Sequence, residues 1–257
     1  MQNPLIYTHD DVFRMLDALL ADRGSTWWDE FFTDRAKPIP FFVDWPDESL
    51  VTWFDEGLLA PGRVLELGCG NGRNAAYLAG RGCRVDAVDF SAEAVGWATA
   101  RIGEVVKFQN CDLFDAQFED GSYDLVYDAG CFHHLAPHRR RDYVSLVDRA
   151  LKPGGRYGLV CFRPEGGSGY TDQQVYERAS LGGGLGYTED HLRSLWDRPP
   201  FRVRVLRQMR KPGEQERRFG EDFLWTLLAA KRATATSGPL PPVPGDRRHT
   251  SDRRIHR

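Results

Sequence analysis

The sequence has no strong charge of either sign, and that absence argues against one class of partner. Its 257 residues include 34 lysines and arginines against 37 aspartates and glutamates, which leaves a formal net charge of −3. A chain with so small a charge has no overall basic field to attract the phosphates of nucleic acid. We therefore expect no nucleic-acid partner. Four arginines near the end of the sequence are interpreted as part of a solvated tail: Arg247, Arg248, Arg253 and Arg254.

Cysteine is scarce, and long apolar runs are missing. The five cysteines form no C-x-x-C pair, and their odd number argues against a disulfide framework. Most lie in or beside apolar stretches, as reduced and buried thiols do in the cytosol. No apolar run is long enough to span a bilayer, and residues 1–7 lack the basic start and apolar stretch of a signal peptide. These absences predict a cytoplasmic protein without a membrane partner.

What the sequence does contain is an alternation of strand-like and helix-like segments. Strands are predicted at 63–67, 84–89, 105–109, 123–128, 156–162, 201–209 and 223–230. Helices are predicted between them at 74–81, 92–102, 139–151 and 188–196. Such alternation predicts an α/β domain with a doubly wound, mostly parallel seven-stranded sheet. We assign residues 61–232 to this domain, 1–60 to an N-terminal helical lid, and 233–257 to a disordered tail.

Glycines follow the first strand of this sheet. Gly68, Gly70 and Gly72 lie between that strand and the next helix, where glycine lets the backbone turn tightly and approach a ligand. Counted from Gly68, the third glycine of the dinucleotide pattern G-x-G-x-x-G is replaced by Arg73, and Glu66 precedes the loop. A carboxylate repels a pyrophosphate but attracts the cationic amino-acid end of a ligand. The loop favours a ligand of the second kind, and an ion pair of Glu66 with Arg73 is the alternative.

The run Glu66-Leu67-Gly68-Cys69-Gly70-Asn71-Gly72 resembles the first motif of class I S-adenosylmethionine-dependent methyltransferases. Further segments resemble later motifs of that family in the same order: 85–91, 111–113, 124–128 and 151–155. The resemblance covers residues 63 to 162. It implies a Rossmann-like methyltransferase fold, S-adenosylmethionine as the cofactor and S-adenosylhomocysteine as its product.

The resemblance also assigns cofactor contacts to individual residues. It implies that Glu66 orients the amino group of the cofactor. Backbone contacts with the methionine part are assigned to Gly68, Cys69, Gly70 and Gly72. Asp89 would accept hydrogen bonds from both ribose hydroxyls, and Asp112 would accept one from the adenine amine. Three further residues complete the predicted cofactor site: Phe90, Leu113 and Asp128.

Two histidines follow the fourth predicted strand. His133 and His134 lie at the carboxyl edge of the sheet, where the methyl group is expected, and an imidazole titrates near neutral pH. Successive side chains diverge, so we expect one of the two to point inward and favour His133 as a general base. The alternative is a loop histidine bonded to the backbone. The spacing of Cys131 with these histidines suits a metal poorly, and no metal is predicted.

The methyl acceptor is predicted to be a small molecule. Residues 128–130 read Asp-Ala-Gly, where enzymes that methylate nucleic-acid amines or glutamine side chains carry (Asp/Asn)-Pro-Pro-(Tyr/Phe). The aromatic segment 27–32 either closes over the cofactor or packs as an accessory helix, and the glycine-rich segment 166–186 forms a mobile loop or a fixed turn beside the acceptor. A nitrogen, oxygen or sulfur acceptor and any oligomeric state stay open. So do two other functions: an aminopropyltransferase, and a non-catalytic module that binds S-adenosylmethionine.

Overall fold

The computed structural model describes residues 5–21 and 24–233, and the predicted tail lies outside them from residue 234 onward. The helices of the described part are α1 (His9–Leu19), α2 (Ser25–Thr33), α3 (Glu48–Asp55), α4 (Arg73–Gly80), α5 (Ala92–Ile102), α6 (Arg140–Ala150), α7 (Asp172–Glu177) and α8 (Glu189–Trp196). Its strands are β1 (Arg63–Leu67), β2 (Arg84–Asp89), β3 (Val106–Asn110), β4 (Tyr123–Ala129), β5 (Leu151–Phe162), β6 (Phe201–Gln208) and β7 (Leu224–Lys231). Of these helices, none is both long enough and apolar enough to cross a membrane.

The seven strands form one sheet in the order β3-β2-β1-β4-β5-β7-β6. Strand β7 runs antiparallel to both of its neighbours, and the remaining pairs are parallel. This topology confirms the predicted doubly wound, mostly parallel seven-stranded sheet. The chain order reverses between β1 and β4, and ligands of such sheets bind at that reversal, beside the carboxyl ends of the strands.

Alternate residues of the strands pack into two hydrophobic layers, one on each face of the sheet. Leu65 and Leu67 point into one layer, which also holds Trp196, while Val64 points into the other together with Trp53. Because helices cover both faces, the central strands are apolar at nearly every position. That double burial explains why β1 reads as a continuous apolar run interrupted by the single carboxylate of Glu66.

Helix α3 falls inside the range 1–60 that the sequence assigns to the lid, but it packs into the core. Leu50 and Trp53 of this helix are fully buried, and the Trp53 ring meets the ring of Tyr127 on β4 edge-on at 6.5 Å. The periodicity of a short helix does not distinguish a lid from a core element, because both bury one apolar face. The residues that lie over the carboxyl edge of the sheet are those that precede α3.

Strand β5 begins earlier than predicted. The sequence places a break at 153–155 and the strand from residue 156, whereas β5 already pairs at Leu151 with Tyr123 of β4. Arg156 pairs with Leu125, so the residues between Leu151 and Arg156 form a bulge inside the strand. The glycines thus accommodate an irregular register and do not end the pairing.

The glycine-rich segment 166–186 contains a short helix that the sequence reading did not assign. Thr171 and Gln174 form a capping box at the start of α7, and Val175 is fully buried. The backbone N–H of Leu185 donates to the carbonyl of His133 at 2.7 Å. These contacts favour the fixed arrangement over the mobile loop.

Candidate functional site

A cavity of about 850 Å³ opens at the carboxyl edge of the sheet, beside the loops that follow β1 and β4. Its volume lies within the range of about 300–1,000 Å³ that small-molecule sites occupy. The loops after β2 and β3 form further walls, and α2 covers the opening with Trp27, Trp28, Phe31 and Phe32. The aromatic segment therefore lines the cavity, and its closure over a ligand stays a prediction.

Two glycines of the loop after β1 are required by close packing. Gly68 has φ 68°, and a Cβ there would lie 2.6 Å from the Cβ of Cys131 in the loop after β4. Gly72 has φ 75°, and a Cβ there would lie 2.6 Å from the Cδ1 of Ile102 on α5. Gly72 is not among the described residues that line the cavity. Its predicted contact with the cofactor stays a prediction, and the role that the structure shows is packing, because α4 and α5 approach each other at this position.

Asp89 ties the end of β2 to the glycine loop. Its Oδ2 accepts from the backbone N–H of Gly70 at 2.7 Å, and its Oδ1 accepts from that of Ser91 at 2.9 Å. Burial raises the pKa of Asp89, while these backbone donors oppose the rise. Each carboxylate oxygen has a second lone pair that can accept a hydrogen bond from a ligand. Phe90 follows on the exposed rim, and both residues line the cavity.

Glu66 presents an unpaired carboxylate oxygen at the cavity. The side chain is 1% exposed, and its Oε2 has no hydrogen-bond partner among the described residues. Burial raises the pKa of Glu66 well above its usual range, and the nearby Arg73 cation only partly opposes this. A buried carboxylate without a partner is costly, so a cationic ligand group that reaches it gains a strong interaction.

Arg73 forms its ion pair with Asp47 rather than with Glu66, the alternative that the sequence left open. An Nη1 of Arg73 lies 2.7 Å from Oδ1 of Asp47, which is fully buried. Oδ2 of Asp47 also accepts from the hydroxyl of Tyr127 at 2.5 Å and from the amide of Asn74 at 3.0 Å. This network fixes the first turn of α4 to β4 and to the segment before α3. The sequence reading missed it, because its members are far apart in the chain.

Asp112 and Leu113 line the cavity where β3 ends. The Oδ1 of Asp112 accepts from the backbone N–H of Phe114 at 2.9 Å, which fixes the orientation of the carboxylate. Leu113 is buried beside it and gives the wall an apolar surface. The structure therefore brings Glu66, Asp89 and Asp112, from three strand ends, to one cavity.

Asp128 is directed away from the cavity. It is fully buried and accepts from the backbone N–H groups of Gly130, Cys131 and Phe132 and from the hydroxyl of Tyr143. Burial raises the pKa of Asp128 to about 6, and these donors oppose the rise. Its predicted cofactor contact is corrected: the carboxylate shapes the loop after β4 from behind.

The two histidines form a hydrogen-bonded pair, and both of them line the cavity. Nδ1 of His133 accepts from the backbone N–H of Phe162 at 3.3 Å, so its proton must reside on Nε2. That Nε2–H then donates to Nε2 of His134 at 3.1 Å. Burial lowers the pKa of His133 well below its usual range, which agrees with a neutral ring. This pattern disfavours the predicted role of His133 as a general base, because its free lone pair is already used.

Helix α2 is attached to the core through Asp29. Its Oδ1 accepts from the hydroxyl of Ser91 at 2.7 Å and from the backbone N–H of Glu93 at 3.2 Å, at the start of α5. A carboxylate at that position also meets the positive end of the helix dipole. On the other side of α2, the rings of Trp28 and His134 lie 4.8 Å apart. Helix α2 thus bridges the Ser91 side and the histidine side of the cavity.

The residues at the cavity could bind organic ligands, and a metal centre is not evident. The described side chains include no group of three or more histidines, cysteines and carboxylates placed to hold a metal ion. All five cysteines are free thiols.

The chain is similar in sequence to known methyltransferases. Residues 64–155 match the family model described as a methyltransferase domain. An uncharacterized methyltransferase of Schizosaccharomyces pombe is 31% identical over 121 residues, which cover 46% of this chain and 83% of that protein. An uncharacterized methyltransferase of Synechocystis sp. is 36% identical over 103 residues, which cover 40% of this chain. The chain spans about half the length of that relative, 48%.

A solved structure has the same fold over most of the chain. It is the 1,6-didemethyltoxoflavin-N1-methyltransferase of Burkholderia thailandensis, crystallised with 1,6-didemethyltoxoflavin and S-adenosylhomocysteine. The superposition has a TM-score of 0.56 at 23% identity and covers 90% of this chain and 93% of that one.

Proposed function

This chain belongs to the methyltransferase domain family, and we propose that it transfers the methyl group of S-adenosylmethionine to a small-molecule acceptor. The observation that carries the proposal is the carboxylate of Glu66, which is buried at the cavity with one oxygen unpaired. This oxygen lacks a hydrogen-bond donor, and the ammonium group of S-adenosylmethionine can supply one together with a positive charge.

The other cavity residues fit the remaining parts of the cofactor. The carboxylate of Asp89 has lone pairs to accept from two ribose hydroxyls, since each oxygen holds one backbone donor already. Asp112 accepts from the adenine amine in this proposal, and the side chain of Leu113 packs beside it. The backbone of Gly68, Cys69 and Gly70 borders the methionine part.

The cofactor supplies an activated methyl group, and the protein aligns the acceptor with it and excludes water. Alignment of this kind contributes a large part of the rate in bimolecular transfers. The aromatic side chains of α2 lie over the cavity and provide the cover. The complex of the similar N1-methyltransferase with S-adenosylhomocysteine and a small-molecule acceptor supports this arrangement. A cytoplasmic location, which keeps cysteines reduced, suits the five free thiols.

Isothermal titration calorimetry of the full chain with S-adenosylmethionine and S-adenosylhomocysteine tests the proposal. We expect both to bind, and we expect Asp89→Asn to weaken both, because an amide cannot accept at both of its atoms. Asp120→Asn is the matched control, since Asp120 is paired with Arg149 at 3.1 Å outside the cavity. Absence of binding by the unaltered protein would refute the proposal. Binding without turnover on any acceptor would instead favour a non-catalytic binding module.

A further inference from the structure

Resting on the proposed function, we infer that the methyl acceptor is an uncharged, flat heteroaromatic molecule that receives the methyl group on a nitrogen atom. Three features of the cavity carry this inference: its charge, its aromatic surfaces and the hydrogen bonding of its histidines.

The cavity is acidic. Its described lining includes five carboxylates: Asp17, Glu66, Asp89, Asp112 and Asp115. Two arginines line it as well, and each is already paired with carboxylates. Arg73 pairs with Asp47, while Arg139 pairs with Asp17 and Asp142. An acceptor that carries a phosphate or a carboxylate would meet like charge here without an available counter-ion among these residues. The cavity therefore disfavours an anionic acceptor. A protonated, cationic nitrogen has no lone pair to receive a methyl group, so the acceptor that remains is a neutral molecule.

The cavity wall between α2 and the loop after β4 is aromatic. The ring of Phe162 stacks on His133 with centroids 3.7 Å apart and planes 17° apart, and Trp28 meets His134 from the lid side at 4.8 Å. Leu181 and Phe223 extend this surface. Flat rings gain stacking or edge-to-face contacts on such surfaces beyond the burial of apolar area. The shape and chemistry of this wall therefore favour a flat ring system.

The hydrogen bonding of the two histidines indicates which atom of the acceptor receives the methyl group. A hydroxyl or thiol acceptor must lose its proton to become a strong nucleophile, and a nearby base usually takes that proton. The lone pair of His133 is used by the N–H of Phe162, and that of His134 Nε2 is used by His133. Among the carboxylates that could act as a base, Glu66, Asp89 and Asp112 contact the cofactor in the proposed function, and Asp17 is paired with Arg139. An acceptor ionised beforehand would add a negative charge to an acidic cavity. A neutral nitrogen carries a lone pair at neutral pH and needs no base before the transfer.

The transfer step then balances without a further reactant. The lone pair of the nitrogen forms a bond to the methyl carbon, and the carbon–sulfur bond breaks with its electron pair left on sulfur. The positive charge moves from sulfur to nitrogen, so the net charge in the cavity is the same before and after the step. If another nitrogen of the ring carries a hydrogen, as in benzimidazole, that proton leaves to solvent after the transfer. The carboxylates suit the charge at both stages.

A set of matched acceptors tests the inference on the full chain. The compounds are benzimidazole, a carboxylate derivative of benzimidazole, naphthol, naphthalenethiol and cyclohexylamine. Their binding to protein saturated with S-adenosylhomocysteine is measured by calorimetry, and product formation from S-adenosylmethionine by mass spectrometry. We expect benzimidazole to bind and to be methylated, and its carboxylate derivative to bind at least about tenfold more weakly.

Preference for the carboxylate derivative, the thiol, the naphthol or the aliphatic amine would overturn the inference. So would the absence of binding by every compound to the loaded protein. Neither result bears on the binding of S-adenosylmethionine, which the test of the proposed function measures separately. If that cofactor does not bind, the proposed function fails first, and the two failures are thereby distinguished.

A pair of tryptophan variants tests the aromatic wall. Trp28→Leu removes the flat ring but keeps an apolar side chain, and we expect it to weaken benzimidazole binding by roughly threefold to tenfold. Trp45→Leu is the matched control, because Trp45 is 40% exposed and its side chain lies outside the cavity lining. Affinity for S-adenosylhomocysteine should not change in Trp45→Leu, and in Trp28→Leu it should change less than the affinity for benzimidazole. Equal loss of benzimidazole binding in both variants would contradict the stacking argument.

Discussion

Replacing Glu66 by glutamine separates the charge of this side chain from its shape. The carboxylate is 1% exposed, and its Oε2 lacks a partner in the described structure. The substitution Glu66→Gln keeps the length and the branching of the side chain while it removes the negative charge. The change therefore tests whether the unpaired oxygen is the acceptor for the ammonium group of S-adenosylmethionine.

The expected loss follows from the strength of a hydrogen bond to a charged group. Such bonds contribute about 1.5–3 kcal/mol, so the dissociation constant should rise roughly tenfold to 150-fold. The upper part of this range is expected, because burial excludes the water that would otherwise screen the two charges. Glu119→Gln is the matched control, since Glu119 is exposed and forms a surface ion pair with Arg63 at 3.2 Å.

The pH dependence of binding provides an independent measurement. Burial raises the pKa of Glu66 well above its usual range in the free protein, and a bound ammonium group lowers it again. Binding therefore releases a proton when the pH lies between the pKa of the bound protein and that of the free protein. Affinity should fall as the pH falls, by up to about tenfold per pH unit between the two pKa values, and should become constant above the higher one.

Calorimetry in two buffers with different heats of ionisation counts the released protons. The unaltered protein should release up to one proton on binding in the pH range between the two pKa values of Glu66, and Glu66→Gln should release less and show a flatter pH profile. If Glu66→Gln binds S-adenosylmethionine as tightly as the unaltered protein, or if both show the same pH profile, then Glu66 does not hold the ammonium group.

Three further changes have expected outcomes. Gly72→Ala should destabilise the protein by about 2–4 kcal/mol, through backbone strain plus a clash. Gly57→Ala has a similar φ of 72° but open space around it, so thermal denaturation should show a smaller loss there. Because the pKa of Asp128 is raised to about 6, its protonated form stabilises the fold at low pH, and that contribution is lost as the pH rises through about 6. The stability of Asp128→Asn relative to the unaltered protein should therefore increase by up to about 3 kcal/mol between about pH 4 and pH 7, as followed by denaturant titration. His133→Ala should lower kcat on benzimidazole by less than about tenfold, because removal of a true general base costs about a hundredfold or more.

The elements that the sequence predicted best are those defined by local patterns. The bounds of β1, β2 and α5 agree residue for residue with the prediction, because apolar runs, a helix N-cap at Ser91 and flanking glycines mark them. The start of β5 was wrong because it depends on pairing with Tyr123, which is a tertiary contact. Helix α3 was placed in the lid for the same reason, since its burial against Tyr127 has no local signal.

The residues of the candidate site differ in the same way: local patterns predict some of them, and tertiary contacts determine the behaviour of others. Glu66, Asp89 and Asp112 each follow a strand directly, and parallel strands bring their carboxyl ends to one edge. The behaviour of His133 depends instead on the N–H of Phe162, which is 29 positions away. No local pattern carries such a bond, so the sequence could position the histidine but could not assign its tautomer.

Local patterns define one end of the cavity and tertiary contacts define the other, and this difference affects the chemistry of each end. The cofactor end is built from strand ends and a glycine loop, and its geometry follows from the sheet. The acceptor end is built from α2, the loop after β4 and the segment around Leu181, which meet through contacts between distant parts of the chain. Those same contacts use the lone pair of His133 and keep both arginines paired with carboxylates, so this histidine does not serve as a base and neither arginine is left to bind an anionic acceptor. The nitrogen acceptor that we infer thus follows from how the loops pack, and a protein with the same glycine loop but differently packed loops need not share it.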